Sequence, residues 1–251
     1  MANPNPHGNV KCYVMERTYV IADLHGRCDL LTAALQAIAA RTRGDPATVV
    51  TLGDYIDRGP ESRQVVELLA RLQGDPPPGW RLVCLKGNHE VLLEQALLHP
   101  ARRLNWIAKG GDATLRSYGA ASLGDLGVIP DHHRAWIAAL QLMHVDRHRI
   151  YVHAGVDSEL PLDHQPAELL LNKRYPNGFG DGHGGLHVVH GHDRAKGGPL
   201  LYPGRTNLDT MAWSTGRLVV GVFADDLAGG PLDLIELKGM PIGEDGAGAE
   251  D

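Results

Sequence analysis

Short apolar runs alternate with helix-period stretches through the first half of the chain. Tyr19-Val20-Ile21, Thr48-Val49-Val50-Thr51-Leu52 and Leu82-Val83-Cys84-Leu85 are runs of buried-strand type, and they predict strands at about 18–22, 48–52 and 81–85. Each is followed by apolar residues spaced three and four apart: Leu30, Leu31, Ala34, Leu35 and Ile38, then Val65, Val66, Leu68, Leu69 and Leu72, then Val91, Leu92, Ala96 and Leu97. That spacing puts the apolar residues on one face of a helix. A βαβαβα order predicts an α/β fold that begins with parallel strands. Asp75-Pro76-Pro77-Pro78-Gly79 reads as a rigid connector from helix to strand. Residues 101–142 read as helical, interrupted at Gly110-Gly111 and Gly119, and predict a cap on one side of the fold.

The second half changes character. β-type runs at 149–153, 186–190, 199–202, 217–224 and 232–237 are separated by turns rich in Gly and Pro, which predicts a second sheet packed against the first. The glycine-rich stretch Asn177 to Gly185 reads as a flexible loop. Residues 1–15 and 239–251 read as flexible tails on a single domain over 16–238, and Met15 is an alternative start to Met1.

Composition narrows the function. The 251 residues carry a net charge of −6, which argues against a nucleic-acid surface as the main business. No apolar run reaches the roughly 18–20 residues that span a membrane. Three widely spaced cysteines, Cys12, Cys28 and Cys84, suit a reducing, cytoplasmic compartment without a disulfide framework.

The chemistry lies where the strand-type runs end. Gly53-Asp54-Tyr55-Ile56-Asp57-Arg58-Gly59 follows the second strand and crowds two carboxylates and a guanidinium into seven residues. Charges at the end of a buried strand are costly unless partnered, and a metal ion with a phosphate would partner them. Asp23-Leu24-His25-Gly26, Gly87-Asn88-His89-Glu90, His153-Ala154-Gly155 and His190-Gly191-His192 follow other strand-type runs. Five such loops can converge on one sheet edge, where α/β proteins place ligands. Taken singly, Asp23 or Asp54 could cap a helix and His153 could be a core histidine. Taken together at successive strand ends, they read as one site.

This ordered set resembles the phosphoprotein phosphatase family of calcineurin-like metallophosphoesterases, of the bacterial serine/threonine protein phosphatase type. The motifs run from residue 23 to 192, and Gly110 to Gly119 resembles a helical segment of the bacterial members. The resemblance implies an α/β/β/α sandwich of two mixed sheets flanked by helices. It implies two divalent metal ions, Mn²⁺ first, with Fe or Zn²⁺ compatible. Asp23, His25 and Asp54 would bind one metal, and Asp54, Asn88, His153 and His192 the other. Arg58 and Asn88 would hold phosphate, and His89 would protonate the leaving oxygen with its pKa raised by Asp57. An activated water would attack phosphorus in line. His192, which follows Gly191, matches the last ligand better than His190 does. Cys28 and the remaining histidines, His132, His133, His183 and His187 among them, read as structural, surface or loop residues, with His183 a lesser candidate to reach substrate.

Three departures bear on substrate. Lys173 aligns with a second phosphate-binding arginine, with Arg174 one residue on; Leu171 replaces a tryptophan; Met211 replaces a glycine in Asp209-Thr210-Met211-Ala212. The implied activity is hydrolysis of phosphate esters on a phosphorylated protein or small molecule, with neither nucleic acid nor membrane as partner. A symmetrical diadenosine tetraphosphatase is the alternative. A scaffold without catalysis would have lost a ligand or the acid, and none is missing.

Overall fold

The computed structural model describes residues 16–176 and 178–242; the expected tail at 1–15, all but the first four residues of the expected tail at 239–251, and Asn177 lie outside them. β1 (Arg17–Ile21), α1 (Cys28–Thr42), β2 (Ala47–Thr51), α2 (Ser62–Gly74), β3 (Trp80–Cys84) and α3 (Asn88–Leu98) follow the predicted alternation. Next come α4 (Arg103–Trp106), a kinked segment (Ile107–Gly111) that breaks at Gly110, α5 (Asp112–Ser117) and, after an irregular stretch, α6 (Asp131–Ala138). The remainder is β4 (Met143–Val145), β5 (Arg149–Val152), α7 (Ala167–Asn172), β6 (His187–His190), β7 (Leu200–Leu201), β8 (Arg205–Asn207), α8 (Ala212–Thr215), β9 (Arg217–Ala224) and β10 (Asp233–Lys238).

These strands form two five-stranded mixed sheets, ordered β10-β9-β1-β2-β3 and β4-β5-β6-β8-β7. In the first, β1, β2 and β3 are parallel, while β9 and β10 run antiparallel beside β1. In the second, β5, β6 and β8 are parallel, with antiparallel β4 and β7 at the edges. Strand alternation sorts the side chains into layers. Val20 and Val50 pair in register and Val50 pairs with Val83; these three meet Tyr151 and Val189 of the other sheet in one buried cluster. Tyr19 and Val49 face the opposite way, onto Leu31, Ile38, Val65 and Leu69 of α1 and α2. Ile150 and Val188 pack outward against Leu170 of α7. The result is helix, sheet, sheet, helix, as the resemblance implied.

Two details differ from the sequence reading. The runs at 217–224 and 232–237 do form strands, but they extend the first sheet rather than the second. β4 and β8 are short and carry polar residues, so no apolar run announces them. Among the described residues, no helix is long and apolar enough to cross a membrane.

β6 also carries a stability consequence. His187 is buried, with Nε2 on Thr206 Oγ1 at 2.9 Å, and burial lowers its pKa to about 4. Unfolded histidine titrates near 6.5, so between about pH 6.5 and 4 the unfolded chain binds the extra proton. The stability present above that window is lost as the pH falls through it. Urea unfolding of His187→Gln is expected to show a flatter pH dependence between 6.5 and 4 than the parent.

Candidate metal and phosphate site

Six parallel strands, three from each sheet, end at one edge. The loop after β1 brings Asp23 and His25; that after β2 brings Asp54, Asp57 and Arg58; that after β3 leads into Asn88 and His89 at the start of α3. From the second sheet come His153 after β5, His192 after β6 and Asp209 after β8. The sixth end, with Asp209, reads from sequence as a segment bearing on substrate, without Asp209 as a site residue.

Asp54 stands at the centre. Its Oδ2 lies 3.4 Å from His25 Nε2 and its Oδ1 lies 3.5 Å from His153 Nε2. Each ring is locked by a backbone carbonyl: His25 Nδ1–H donates to Ile56 O at 2.8 Å, and His153 Nδ1–H to Leu52 O at 3.0 Å. Both Nε2 lone pairs therefore point inward, the arrangement in which histidine ligates a cation while its other nitrogen is held. His153 Nε2 also lies 3.1 Å from Asn88 Oδ1, so two acceptors face one another. The ligating atoms of Asp54, His153 and His192 lie within 4.8 Å of one another, and so do those of His25, Asp54 and His89. Asp23 Oδ1 accepts the His192 backbone N–H at 3.1 Å.

Electrostatics say the same. Burial, then Asp209, holds Asp23 well above the ordinary carboxylate range; burial, then Glu90, does so for Asp54. Burial, then His153, drives His192 down to about 2. Buried carboxylates and neutral imidazoles in one cluster are offset by cations, and oxygen with imidazole donors suits divalent ions. The residues fit two such ions sharing Asp54.

A second constellation sits beside it. The buried Asp57 carboxylate accepts Thr114 Oγ1–H at 2.7 Å, Trp106 Nε1–H at 3.0 Å and His89 Nδ1–H at 2.7 Å. His89 Nε2 faces Arg58 Nη2 at 3.0 Å, and Arg58 Nη1 lies 3.1 Å from His25 Nε2. The sequence reading had Asp57 raising the His89 pKa. Burial, with His25 and Arg58, instead holds His89 well below the histidine range, so Asp57 fixes the ring's tautomer and direction. Trp106 and Thr114 are not among the site residues named from sequence; the local signals are the Gly110-Gly111 break between them and the resemblance of Gly110 to Gly119, which contains Thr114, to a helical segment of the bacterial members. A Cβ on Gly111 would meet the Trp106 ring at 2.4 Å, so the glycine makes room for the ring that holds Asp57.

The backbone is strained at this edge. His25, Asp54, Asp57, Arg58 and His192 have φ of 41°, 52°, 73°, 68° and 63°. Such conformations cost of order 1–3 kcal/mol each and persist where surrounding structure enforces them. Glu90 is one enforcer: its buried carboxylate accepts the N–H groups of Asp54 at 2.9 Å, Tyr55 at 2.8 Å and Gly87 at 2.8 Å. Glu90→Gln turns one acceptor oxygen into a donor facing N–H groups. Leaving buried donors unmet costs about 1–3 kcal/mol, so a lower urea midpoint and reduced metal affinity are expected together.

The family model for calcineurin-like phosphoesterases matches residues 16–215. The chain belongs to the calcineurin-like phosphoesterase family. It is 34% identical over 94 residues to serine/threonine-protein phosphatase 2 of Escherichia coli (strain K12), covering 38% of each chain. It is 31% identical over 140 residues to the symmetrical bis(5'-nucleosyl)-tetraphosphatase of Pseudomonas syringae pv. syringae (strain B728a), covering 55% of this chain and 41% of that protein. The matched stretches thus span about two fifths of the length of these two relatives. The fold is similar to that of a protein serine/threonine phosphatase from Saccharomyces cerevisiae, with a TM-score of 0.62, 16% identity and coverage of 92% of this chain and 82% of that one.

Around the phosphoesterase pocket, Arg174 lines the wall with the other residues nominated from sequence, and Arg194 and Asp209 join them. Arg174 lies 3.9 Å from Asp193. Lys173 is not among the lining residues; its ammonium stands 5.1 Å from the Tyr175 ring centre. His190 lies below the site, with Nε2 3.0 Å from Arg205 Nη1. His183 Nε2–H donates to Leu160 O at 2.8 Å. His133 and His187, read as surface or loop positions, are buried; His133 is held between Tyr118 and Glu67. Arg194 carried no sequence signal, standing two residues beyond His192 in an unremarkable loop.

Proposed function

We propose that this phosphoesterase uses two divalent metal ions to hydrolyse phosphate monoesters, with phosphoserine or phosphothreonine in a protein as the first substrate class and a small phosphate ester as the simpler one. The observation that carries the reading is Asp54, whose two oxygens face the inward lone pairs of two different carbonyl-locked histidines. Asp23, His25 and Asp54 would hold one ion, and Asp54, Asn88, His153 and His192 the other. Mn²⁺ suits these donors, with Fe or Zn²⁺ as alternatives. When bound, such a pair supplies charge stabilisation at phosphorus and activation of the water nucleophile.

The chain's own residues supply the rest. Arg58 presents two N–H-bearing nitrogens toward the space between His25 and His89, where it can grip phosphate oxygens. Asn88, at the first position of α3, lies beside that space and adds an amide. Asp57 keeps His89 Nδ1 protonated, so Nε2 is the atom that can pass a proton to the leaving oxygen. A phosphate dianion between Arg58 and His89 offsets the guanidinium charge and favours the protonated ring. The unpaired Cys28 and Cys84 support a reducing, cytoplasmic setting.

A second reading, a symmetrical diadenosine tetraphosphatase, is favoured by the additional arginines Arg174 and Arg194 in the pocket and by the tetraphosphatase relative. The test assays p-nitrophenyl phosphate, a phosphoserine peptide and diadenosine tetraphosphate side by side with Mn²⁺. Efficient Mn²⁺-dependent turnover of the peptide supports the first reading. Far higher kcat/KM on the dinucleotide moves the assignment to the second.

A further inference from the structure

α2 and α6 carry a second cluster of metal-donor side chains. Glu67 of α2 and the neighbours His132 and His133 of α6 bring their donor atoms within 4.8 Å of one another. None of the three lines the phosphoesterase pocket. His133 is buried, while Glu67 and His132 are exposed, so the cluster opens to solvent on one side. Adjacent residues on a helix point about 100° apart. Here, in the first turn of α6, the two rings nonetheless meet edge-on, with centres 4.4 Å apart, and each has a nitrogen within reach of Glu67.

The buried ring is held from behind. His133 Nε2 lies 2.9 Å from Glu67 Oε2, and Nδ1 lies 2.8 Å from the hydroxyl of Tyr118, itself buried at the end of α5. A tyrosine hydroxyl both donates and accepts. Without an ion, Tyr118 O–H donates to Nδ1 and Nε2–H donates to Glu67. With one, the ring proton sits on Nδ1, the Tyr118 oxygen accepts it, and the Nε2 lone pair faces the ion beside the carboxylate. The ring changes tautomer and neither gains nor loses a proton. Burial lowers the His133 pKa against the pull of Glu67, which keeps the ring neutral, the form that ligates. Ligand atoms 2.0–2.2 Å from a tetrahedral ion stand about 3.3 Å apart. The Glu67–His133 pair is already near that spacing, and the exposed His132 side chain has room to close on the third position.

We propose that Glu67, His132 and His133 form a site for a divalent transition metal, Zn²⁺ first, that clamps α6 to α2. Two imidazoles and one carboxylate suit Zn²⁺, with water in the fourth position. Mn²⁺ stands lowest among the divalent first-row ions at such donors, so Mn²⁺ at the level that fills the pocket leaves this site empty. The clamp has a counterpart further along the same two helices, where Trp136 Nε1–H donates to Gln73 Oε1 at 2.7 Å. The helices it joins also back the loop after β2. Ser62, at the start of α2, accepts the Asp57 N–H at 3.1 Å, and Thr114, one turn before Tyr118, binds the Asp57 carboxylate. The ion therefore reinforces the packing behind that loop from outside and adds stability rather than chemistry.

The test counts the Zn²⁺ bound by the chelated full chain, by His132→Ala and by Glu67→Gln. It also measures the Tm of each with and without Zn²⁺, and the Mn²⁺-dependent hydrolysis of p-nitrophenyl phosphate. The parent is expected to bind one Zn²⁺ more per chain than either variant. Zn²⁺ at 100 times its Kd for this site should raise the parent Tm about 5 °C further than that of His132→Ala. With Mn²⁺ alone, both variants should hydrolyse within about twofold of the parent rate. An equal zinc count in the parent and His132→Ala, or an equal Tm rise, overturns the site. Loss of Mn²⁺-dependent hydrolysis in His132→Ala together with the extra ion overturns its separation from the pocket. The zinc count needs no turnover, so its outcome is independent of the phosphoesterase reading.

Discussion

Asp54→Asn is expected to lower kcat/KM on p-nitrophenyl phosphate at least 1,000-fold, about 4 kcal/mol in the barrier, and to lose metal in parallel. The substitution is a clean one. Asparagine tolerates the left-handed conformation at φ 52° better than most residues, and its Oδ1 can still accept the His89 N–H now at 3.0 Å. What disappears is the charge that lets one side chain serve two cations. Because burial and Glu90 penalise the Asp54 carboxylate, the metal-free variant is expected to be at least as stable as the metal-free parent. Metal at 100 times its Kd stabilises a folded chain by about 2.7 kcal/mol per site, so Mn²⁺ should raise the parent Tm clearly and leave that of Asp54→Asn nearly unchanged. A variant that keeps two metals and most of its activity would remove Asp54 from the centre of the site.

His89→Asn should behave differently. Metal stoichiometry is expected to match the parent, while kcat on an alkyl phosphate falls about 100- to 1,000-fold, within the range of general acid catalysis. With p-nitrophenyl phosphate, whose leaving group needs little protonation, the loss should be only several-fold. The contrast matters because the His89 ring also lies within ligand distance of His25 and Asp54, so proximity alone does not distinguish acid from ligand. Its Nδ1–H is committed to Asp57 at 2.7 Å and its Nε2 faces Arg58, which places the working nitrogen at the phosphate side. Asp57 keeps Trp106 and Thr114 as donors in the variant, so the loop should hold. Loss of metal from His89→Asn would assign the ring to a cation instead.

Much of this site was legible because its residues cluster in short loops directly after apolar runs. Asp23, His25, Asp54, Asn88, His153 and His192 each sit within four residues of a strand end, and local sequence reports such proximity. What stayed hidden depends on contacts far apart in sequence. Trp106 and Thr114 reach Asp57 across 49 and 57 residues, and nothing near them marks a buried carboxylate as their partner. Glu90 was visible as part of Gly87-Asn88-His89-Glu90, yet its grip on the loop after β2 spans about 35 residues. The run Leu218 to Ala224 declared a strand but not its sheet, since pairing with β1 lies some 200 residues away in the chain. β8, Arg205-Thr206-Asn207, is too short and polar to show any period, and Asp209 was lost with it as a site residue. The predicted helical cap was broken further than its glycines suggested: α5 and α6 are separated by an irregular stretch containing only a single 3₁₀ turn, Leu126–Val128.

The central claim is that Asp54 joins two divalent ions in one hydrolytic site. Its most direct test is metal stoichiometry: the chelated chain is titrated with Mn²⁺, bound metal is counted per chain, and p-nitrophenyl phosphate hydrolysis is followed on the same samples. The structure predicts two ions per chain at saturation, activity that rises with their binding, and loss of both in Asp54→Asn. Full hydrolysis by the chelated protein, or saturation at a single ion with full activity, would contradict it.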